Sequence, residues 1–204
     1  MTEKSNASHL RGPSEHNVRD QIVEAATDHF GLYGYEKTTV SDLAKAIGFS
    51  KAYIYKFFDS KQAIGEVICS NRLAVIMQVV DSVIAECPTA SERLRRLFRA
   101  LVETGSDLFF HDRKLYDIAA VAARDQWPAV LKLEAHLRQV IQRILVEGRE
   151  SGEFERKTPL DEASNAIYLV MKPYFNPVQL QYNLEMAPES AVQLSALILR
   201  SLAP

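Results

Sequence analysis

Apolar positions along this chain recur at intervals of three and four residues in one segment after another, and no run alternates with a period of two. That periodicity predicts helices throughout and an all-α fold. Residues 15–33 set Ile22, Val23, Ala26, Phe30 and Tyr33 on one stripe, with Gly31 and Gly34 framing its end. Residues 40–47 repeat the pattern with Val40, Leu43, Ala44 and Ile47, the i, i+3, i+4, i+7 face of a short buried helix. Thr39 is placed to cap its start, and Gly48 follows its last apolar residue, where a positive φ turns the chain. Ser50 then caps a second helix of about seven residues, and Ser60 a third. The helix from Ser60 runs to about residue 85, near 37 Å at 1.5 Å per residue. Ile64, Val67, Ile68, Ala74, Val75, Val79 and Val83 are its core candidates.

Beyond Pro88, Thr89 and Glu92 have capping-box spacing and open a helix with Leu94, Leu97, Phe98, Leu101, Val102, Leu108 and Phe109 inward. Arg93, Arg95, Arg96 and Arg99 mostly face outward; the cluster reads as a solvated face in preference to a second nucleic-acid patch. After the polar corner His111-Asp112-Arg113 comes a shorter helix with Tyr116, Ile118, Ala119, Val121 and Ala122. Trp127-Pro128 starts another, with proline at its first position, using Val130, Leu131, Leu137, Val140, Ile141, Ile144 and Leu145. Residues 159–171 carry Leu160, Ala163, Ala166, Ile167, Val170 and Met171, and prolines at 173 and 177 interrupt the helical pattern after them. The last helix, 188–202, is apolar on nearly all sides through Val192, Leu194, Leu197, Ile198 and Leu199. Such a helix is normally buried, and a second copy of the chain offers a natural partner.

Composition changes this picture little. The chain has 204 residues, 47% hydrophobic and 25% charged, enough for one or two compact domains. Cys69 and Cys87 lack metal or redox spacing and read as free thiols. No run of about 18 apolar residues stands out, so no membrane span is expected. The polar first dozen residues carry no secretion signal, which points to the cytoplasm. Residues 1–14, with Lys4, His9, Arg11 and the Gly12-Pro13 breaker, read as a mobile arm. Neither HExxH, GxSxG nor a Walker motif occurs and the five histidines are scattered, so no enzyme, metal or cofactor is expected.

Candidate chemistry lies between Thr39 and Lys61. On a wheel of the helix after Ser50, Ile54, Phe57 and Phe58 gather on one side; Lys51, Ala52, Tyr55 and Lys56 gather on the other, with Tyr53 on a flank. Two cations and a phenol suit phosphate oxygens, and a small residue lets a helix approach base edges. The arrangement is a helix-turn-helix whose second helix would enter the major groove. Overall charge does not announce this: the net charge is −2, and the first 61 residues hold equal numbers of basic and acidic side chains. Position carries the argument, with Lys51, Lys56 and Lys61 forming a cluster that a dimer would double.

Residues 21–68 resemble the DNA-binding domain of the tetracycline-repressor (TetR/AcrR) family of bacterial regulators. The carrying residues are Ala25-Ala26, Phe30, Gly34-Tyr35, Thr38-Thr39-Val40, Leu43-Ala44, Ile47-Gly48-Phe49-Ser50, Tyr53-Ile54-Tyr55, Phe57-Phe58 and Ser60-Lys61. The chain departs from the family at Phe57, where His or Tyr is common, and at Asp59, where Pro is frequent. The resemblance implies an all-α homodimer that binds a partly palindromic double-stranded operator, usually to repress, and is released by a small-molecule effector. It implies DNA contact at Thr39, Ser50, Lys51, Ala52, Tyr53, Tyr55, Lys56 and Lys61. It also implies a division into a DNA-binding domain at 15–62 and a ligand-binding and dimerisation domain at 63–204, with 159–172 and 188–202 forming a four-helix bundle across the two-fold axis. Pocket candidates in the larger domain are Phe98, Phe109, His111, Tyr116, Arg124, Trp127, Tyr168, Met171 and Phe175, aromatic or apolar groups with a few polar ones. The alternative is a helical module that binds a ligand or a protein, with weak or lost DNA binding.

Overall fold

The computed structural model describes residues 15–204, and the expected arm over 1–14 lies outside them. Ten α-helices and one 3-10 turn follow in order among the described residues, with no strand. They are α1 (Glu15–Tyr33), α2 (Val40–Ile47), α3 (Lys51–Ile54), α4 (Lys61–Ala85), α5 (Ala90–His111), α6 (Arg113–Arg124), α7 (Pro128–Glu150), α8 (Leu160–Met171), α9 (Pro177–Leu180) and α10 (Ala187–Ser201). The 3-10 turn Lys172–Tyr174 joins α8 to α9, so residues 172–180 form a strap between two longer helices.

The helix ends sit where local chemistry puts them. Thr39 and Asp42 close a capping box at α2, and Gly48 ends that helix at φ +77, a conformation that costs glycine nothing. The Ser50 hydroxyl accepts from the Tyr53 amide at 3.1 Å and the Ser60 hydroxyl from the Ala63 amide at 3.0 Å. At α5 the Thr89 hydroxyl accepts from the Glu92 amide, but the amides of Ala90 and Ser91 donate to the Glu153 carboxylate, each at 3.0 Å. A residue from the turn after α7 thus supplies part of this cap. Burial pushes the Glu153 carboxyl up, and hydrogen bonds from Ser91, Ala90 and Ser151 more than offset it, leaving it below the usual carboxylate range.

Two apolar cores result. One joins Ile22, Ala26 and Phe30 of α1, Leu43 of α2, Ile54 and Phe58, and Ile64, Ile68 and Cys69 of α4. Leu115, Ile118, Val121 and Ala122 of α6, with Trp127, complete it, so this core does not stop at residue 62. The second joins Val80 and Ile84 of α4 to α5, α7, α8 and α10. Helix α4 is long and apolar enough to cross a bilayer by length and composition, unlike the sequence-based expectation; it serves here as a bridge between the two cores. Its middle is not core: Ala74, Val75 and Val79 are exposed because the neighbouring helices cover only its other side. Leu131 on α7 is likewise exposed, as are Ala166 and Val170 on α8 and Val192 and Leu197 on α10.

Candidate functional site

Helix α3 projects from the first core by its buried side. Ile54 is fully buried and Phe58 nearly so, while Lys51, Ala52, Tyr55 and Lys56 are exposed. The α-helix is shorter than the sequence suggests, four residues where about seven fit the wheel. It continues as a tighter turn, with the Lys56 amide on the Tyr53 carbonyl and the Phe57 amide on the Ile54 carbonyl. Phe58 sits 4.6 Å below the Arg19 guanidinium of α1, and this tightening brings it inward next to Ile54. Tyr53 is half-buried, edge-on to Phe49 at 5.1 Å and to Phe57 at 5.3 Å. Lys51 lies 5.8 Å from the Tyr55 ring and Lys56 5.6 Å from the Tyr53 ring, so each cation is guided by an aromatic face.

Two of the proposed contact residues have other tasks. The Thr39 hydroxyl accepts from the Asp42 amide at 3.2 Å and donates to the Asp42 carboxylate at 2.7 Å. That hydrogen bond, with a second from the Thr39 amide, holds the Asp42 carboxyl below its ordinary range. Lys61, expected to contact DNA, turns its ammonium back to donate to the carbonyl of Tyr35 at 3.0 Å and lies 4.4 Å from the Tyr35 ring. Desolvation lowers its pKa, partly offset by Glu36. This lysine fastens the turn after α1, a target 26 residues away that the local pattern could not reveal.

The larger domain holds a cavity of about 70 Å³. Cys69, Leu73 and Ile76 of α4, Leu101, Thr104, Gly105 and Leu108 of α5, Ala119 and Ala123 of α6, and Val130, Leu133 and Glu134 of α7 line it; Phe175, Asn176 and Pro177 of the strap close one side. Burial first, and then the Glu66 charge, push the Cys69 thiol up to about 11, so it stays protonated.

Of the pocket residues chosen from sequence, Phe175 alone lines this cavity. Phe98, Tyr168 and Met171 are packed into the second core. Tyr116 is buried and its hydroxyl donates to the Pro177 carbonyl at 2.6 Å, tying α6 to the strap. Phe109 packs edge-on against Tyr116 at 4.8 Å. Trp127 belongs to the first core, 5.7 Å from the Tyr35 ring. His111 is exposed with its Nδ1 by the Asp107 carbonyl, and Arg124 is exposed between Asp125 and Glu36. Large side chains fill space, whereas this cavity is lined on the α6 side by the small side chains of Ala119 and Ala123; Gly105 on α5 gives room to the Leu180 side chain. Among the described residues no cluster of His, Cys, Asp and Glu could hold a metal ion.

This arrangement is a helix-turn-helix mounted on a helical domain with an apolar cavity, and known proteins share its fold. Residues 22–67 match the model for bacterial regulatory proteins of the tetR family, and residues 90–195 match that for the tetracyclin repressor-like C-terminal domain. The transcriptional repressor DhaR of Mycobacterium sp. (strain GP1) is 24% identical over 144 residues, 68% of this chain and 71% of its own. A TetR-family regulator from Pectobacterium atrosepticum superposes with a TM-score of 0.72 at 18% identity, covering 95% of this chain and 98% of that one. PfmR, a TetR-family regulator from Thermus thermophilus, is 30% identical with a TM-score of 0.60, covering 91% and 97%. Since the C-terminal model alone spans more than half of the chain and the reader matches separately, the protein belongs to the tetR family of bacterial regulatory proteins and is a DNA-binding transcriptional regulator.

Proposed function

We propose that this protein represses transcription as a homodimer on a partly palindromic operator and is released when a small apolar or amphipathic molecule enters the cavity. The observation that carries this reading is the outer face of α3 and its turn: Lys51, Ala52, Tyr55 and Lys56 are exposed while Ile54 and Phe58 anchor the helix from behind. Lys51 and Lys56 meet phosphates, Ala52 allows close approach, and the Tyr55 phenol reaches a base edge or phosphate. Ser50 and Tyr53 support the flank, and Thr39 contributes the amino end of α2. Release runs through α6, which borders the cavity with one side and completes the reader core with another.

The dimer forms through 159–172 and 188–202. Leu169 and Val170 on α8 and Val192 and Leu197 on α10 remain exposed in the single chain, and Val170 and Leu197 border one shallow apolar groove between these helices. The protein acts in the cytoplasm, where its operator is.

The test is fluorescence anisotropy on the gene's own upstream DNA across a salt series, with random DNA as control. Saturable binding that exceeds the control is expected, weakening as salt rises. Tyr55→Ala and Lys51→Ala should each weaken it, by about 1–3 kcal/mol where the residue reads a base. Unchanged affinity in both would refute the reading face. Binding no better than random DNA at any salt, with a ligand still bound, would favour the alternative of a helical ligand-binding module. Val170→Glu or Leu197→Glu should dissociate the dimer in sedimentation equilibrium.

A further inference from the structure

Among the described residues, Glu134 is the single charged one lining the cavity. Its Oε1 accepts from the Lys172 ammonium at 3.0 Å, and the two side chains are 23% and 32% exposed. Lys172 stands at the root of the strap, 5.7 Å from the Tyr168 ring. The Tyr168 hydroxyl is buried, and its burial first, then the Glu134 charge, push its pKa up. The remaining walls are almost entirely apolar. An otherwise oily cavity is therefore bordered by one acidic side chain, and the cation paired with it is on a flexible, part-exposed stem.

We infer that Lys172 holds the place of a ligand's cation: the cavity takes a small lipophilic amine or ammonium ion, whose apolar part fills the cavity and whose nitrogen replaces Lys172 on Glu134. This deepens the proposed effector site and rests on it. Exchanging one cation for another leaves Glu134 paired, so the cost of stranding a part-buried charge is avoided. The displaced lysine regains rotamer freedom in water. A ligand with a carboxylate or phosphate head would bring like charge to Glu134, and a neutral head would leave the carboxylate without its partner. The volume, about 70 Å³, is about half of the ~150 Å³ that accommodates benzene. Without movement of the strap the apolar part is therefore short, roughly four carbons.

The exchange also has a route outward. Lys172 begins the strap that supplies Phe175 and Pro177 to the cavity wall. The Pro177 carbonyl is held by the Tyr116 hydroxyl of α6, and α6 completes the reader core. Releasing Lys172 loosens the strap at its root, and α6 carries the change to the DNA-reading end.

The experiment is isothermal titration of the full-length protein with n-butylammonium, 1-butanol and butyrate, repeated on Glu134→Gln and Lys172→Met. In the native protein butylammonium should bind about tenfold or more tightly than either congener, the scale of one charge-assisted hydrogen bond. Glu134→Gln should erase that preference while leaving 1-butanol unchanged. Lys172→Met removes the internal competitor and should tighten butylammonium several-fold; because Lys172 is about one-third exposed, this variant is expected to fold. Butyrate binding tightest, a preference that survives Glu134→Gln, or no gain from Lys172→Met would each overturn the inference. Operator anisotropy without ligand, on the same preparations, separates the two readings. DNA binding without amine selectivity removes this inference alone; amine selectivity without DNA binding removes the regulator's DNA contact alone.

Discussion

The two cores are assembled on different terms. The larger one is closed, with members that come from α5, α7, α8, α10 and the far end of α4 and pack on one another. The smaller one is shared, since three short helices bury too little apolar surface to hold a shape alone. It is completed by the start of α4, one side of α6, and Trp127, which packs with Tyr35 against Gly65. A reader built this way cannot shift relative to α6 without disturbing its own interior. Under the proposed function, communication between effector and DNA therefore needs no dedicated wire, because the element beside the cavity is also part of the reader's core.

The sharpest way to break this comparison is Trp127→Ala. Trp127 is 2% exposed and outside the helix-turn-helix in sequence, yet its loss should cost about 3–5 kcal/mol. Hydrogen exchange should show α1–α3 losing protection while α5 and α10 keep theirs; equal loss in both would mean that the cores are one. The counterpart is Gly148→Ala, whose Cβ would stand 2.1 Å from a ring carbon of Phe154. Overpacking there should cost about 1–3 kcal/mol in urea denaturation and leave operator affinity at low denaturant unchanged. Gly48→Ala forces a side chain into φ +77 at the reader's turn. The cost should be about 1–2 kcal/mol, seen as a weaker operator complex together with a lower denaturation midpoint.

The smallest expected effect is a pH dependence. Asp42 caps α2 in the reader and Glu153 caps α5 in the larger domain, and both carboxyls are held below their ordinary values. Folded pKa values below unfolded ones mean that this stabilisation is present above the unfolded carboxylate range, about pH 4, and is lost as pH falls through it toward the folded values. Glu153→Gln should flatten the acid limb of thermal stability for the larger domain only, leaving the Asp42 part in the reader.

How much the sequence reveals depends on how far each interaction reaches along the chain. The caps at Thr39, Ser50 and Ser60 and the turn at Gly48 are settled within a few residues, and each can be read directly. The inward and outward sides around α3 emerge from periodicity for the same reason. The hydrogen bond from Lys61 to the Tyr35 carbonyl could not be read, because it spans 26 residues; nor could the cap from Glu153, which serves a helix 63 residues before it. The pocket was harder for another reason. Aromatic residues draw attention as ligand contacts, but Phe98, Tyr168 and Trp127 are large enough to be consumed by packing. The cavity is bordered by two alanines of α6, and small residues give no signal until their neighbours are known.

Helix α4 has one more consequence. Its first turns are rooted in one core and its last turns in the other, with a stretch between that is uncovered on one side. It behaves as a drive shaft of fixed phase: deleting a single residue in the middle would rotate one end against the other by about 100° and shorten the shaft by about 1.5 Å. Amino-acid replacements along its uncovered side are cheap, while any change in its length misaligns the whole reading head. In the proposed dimer the span between the two reading heads is then written in a residue count, a digital quantity that substitution leaves untouched.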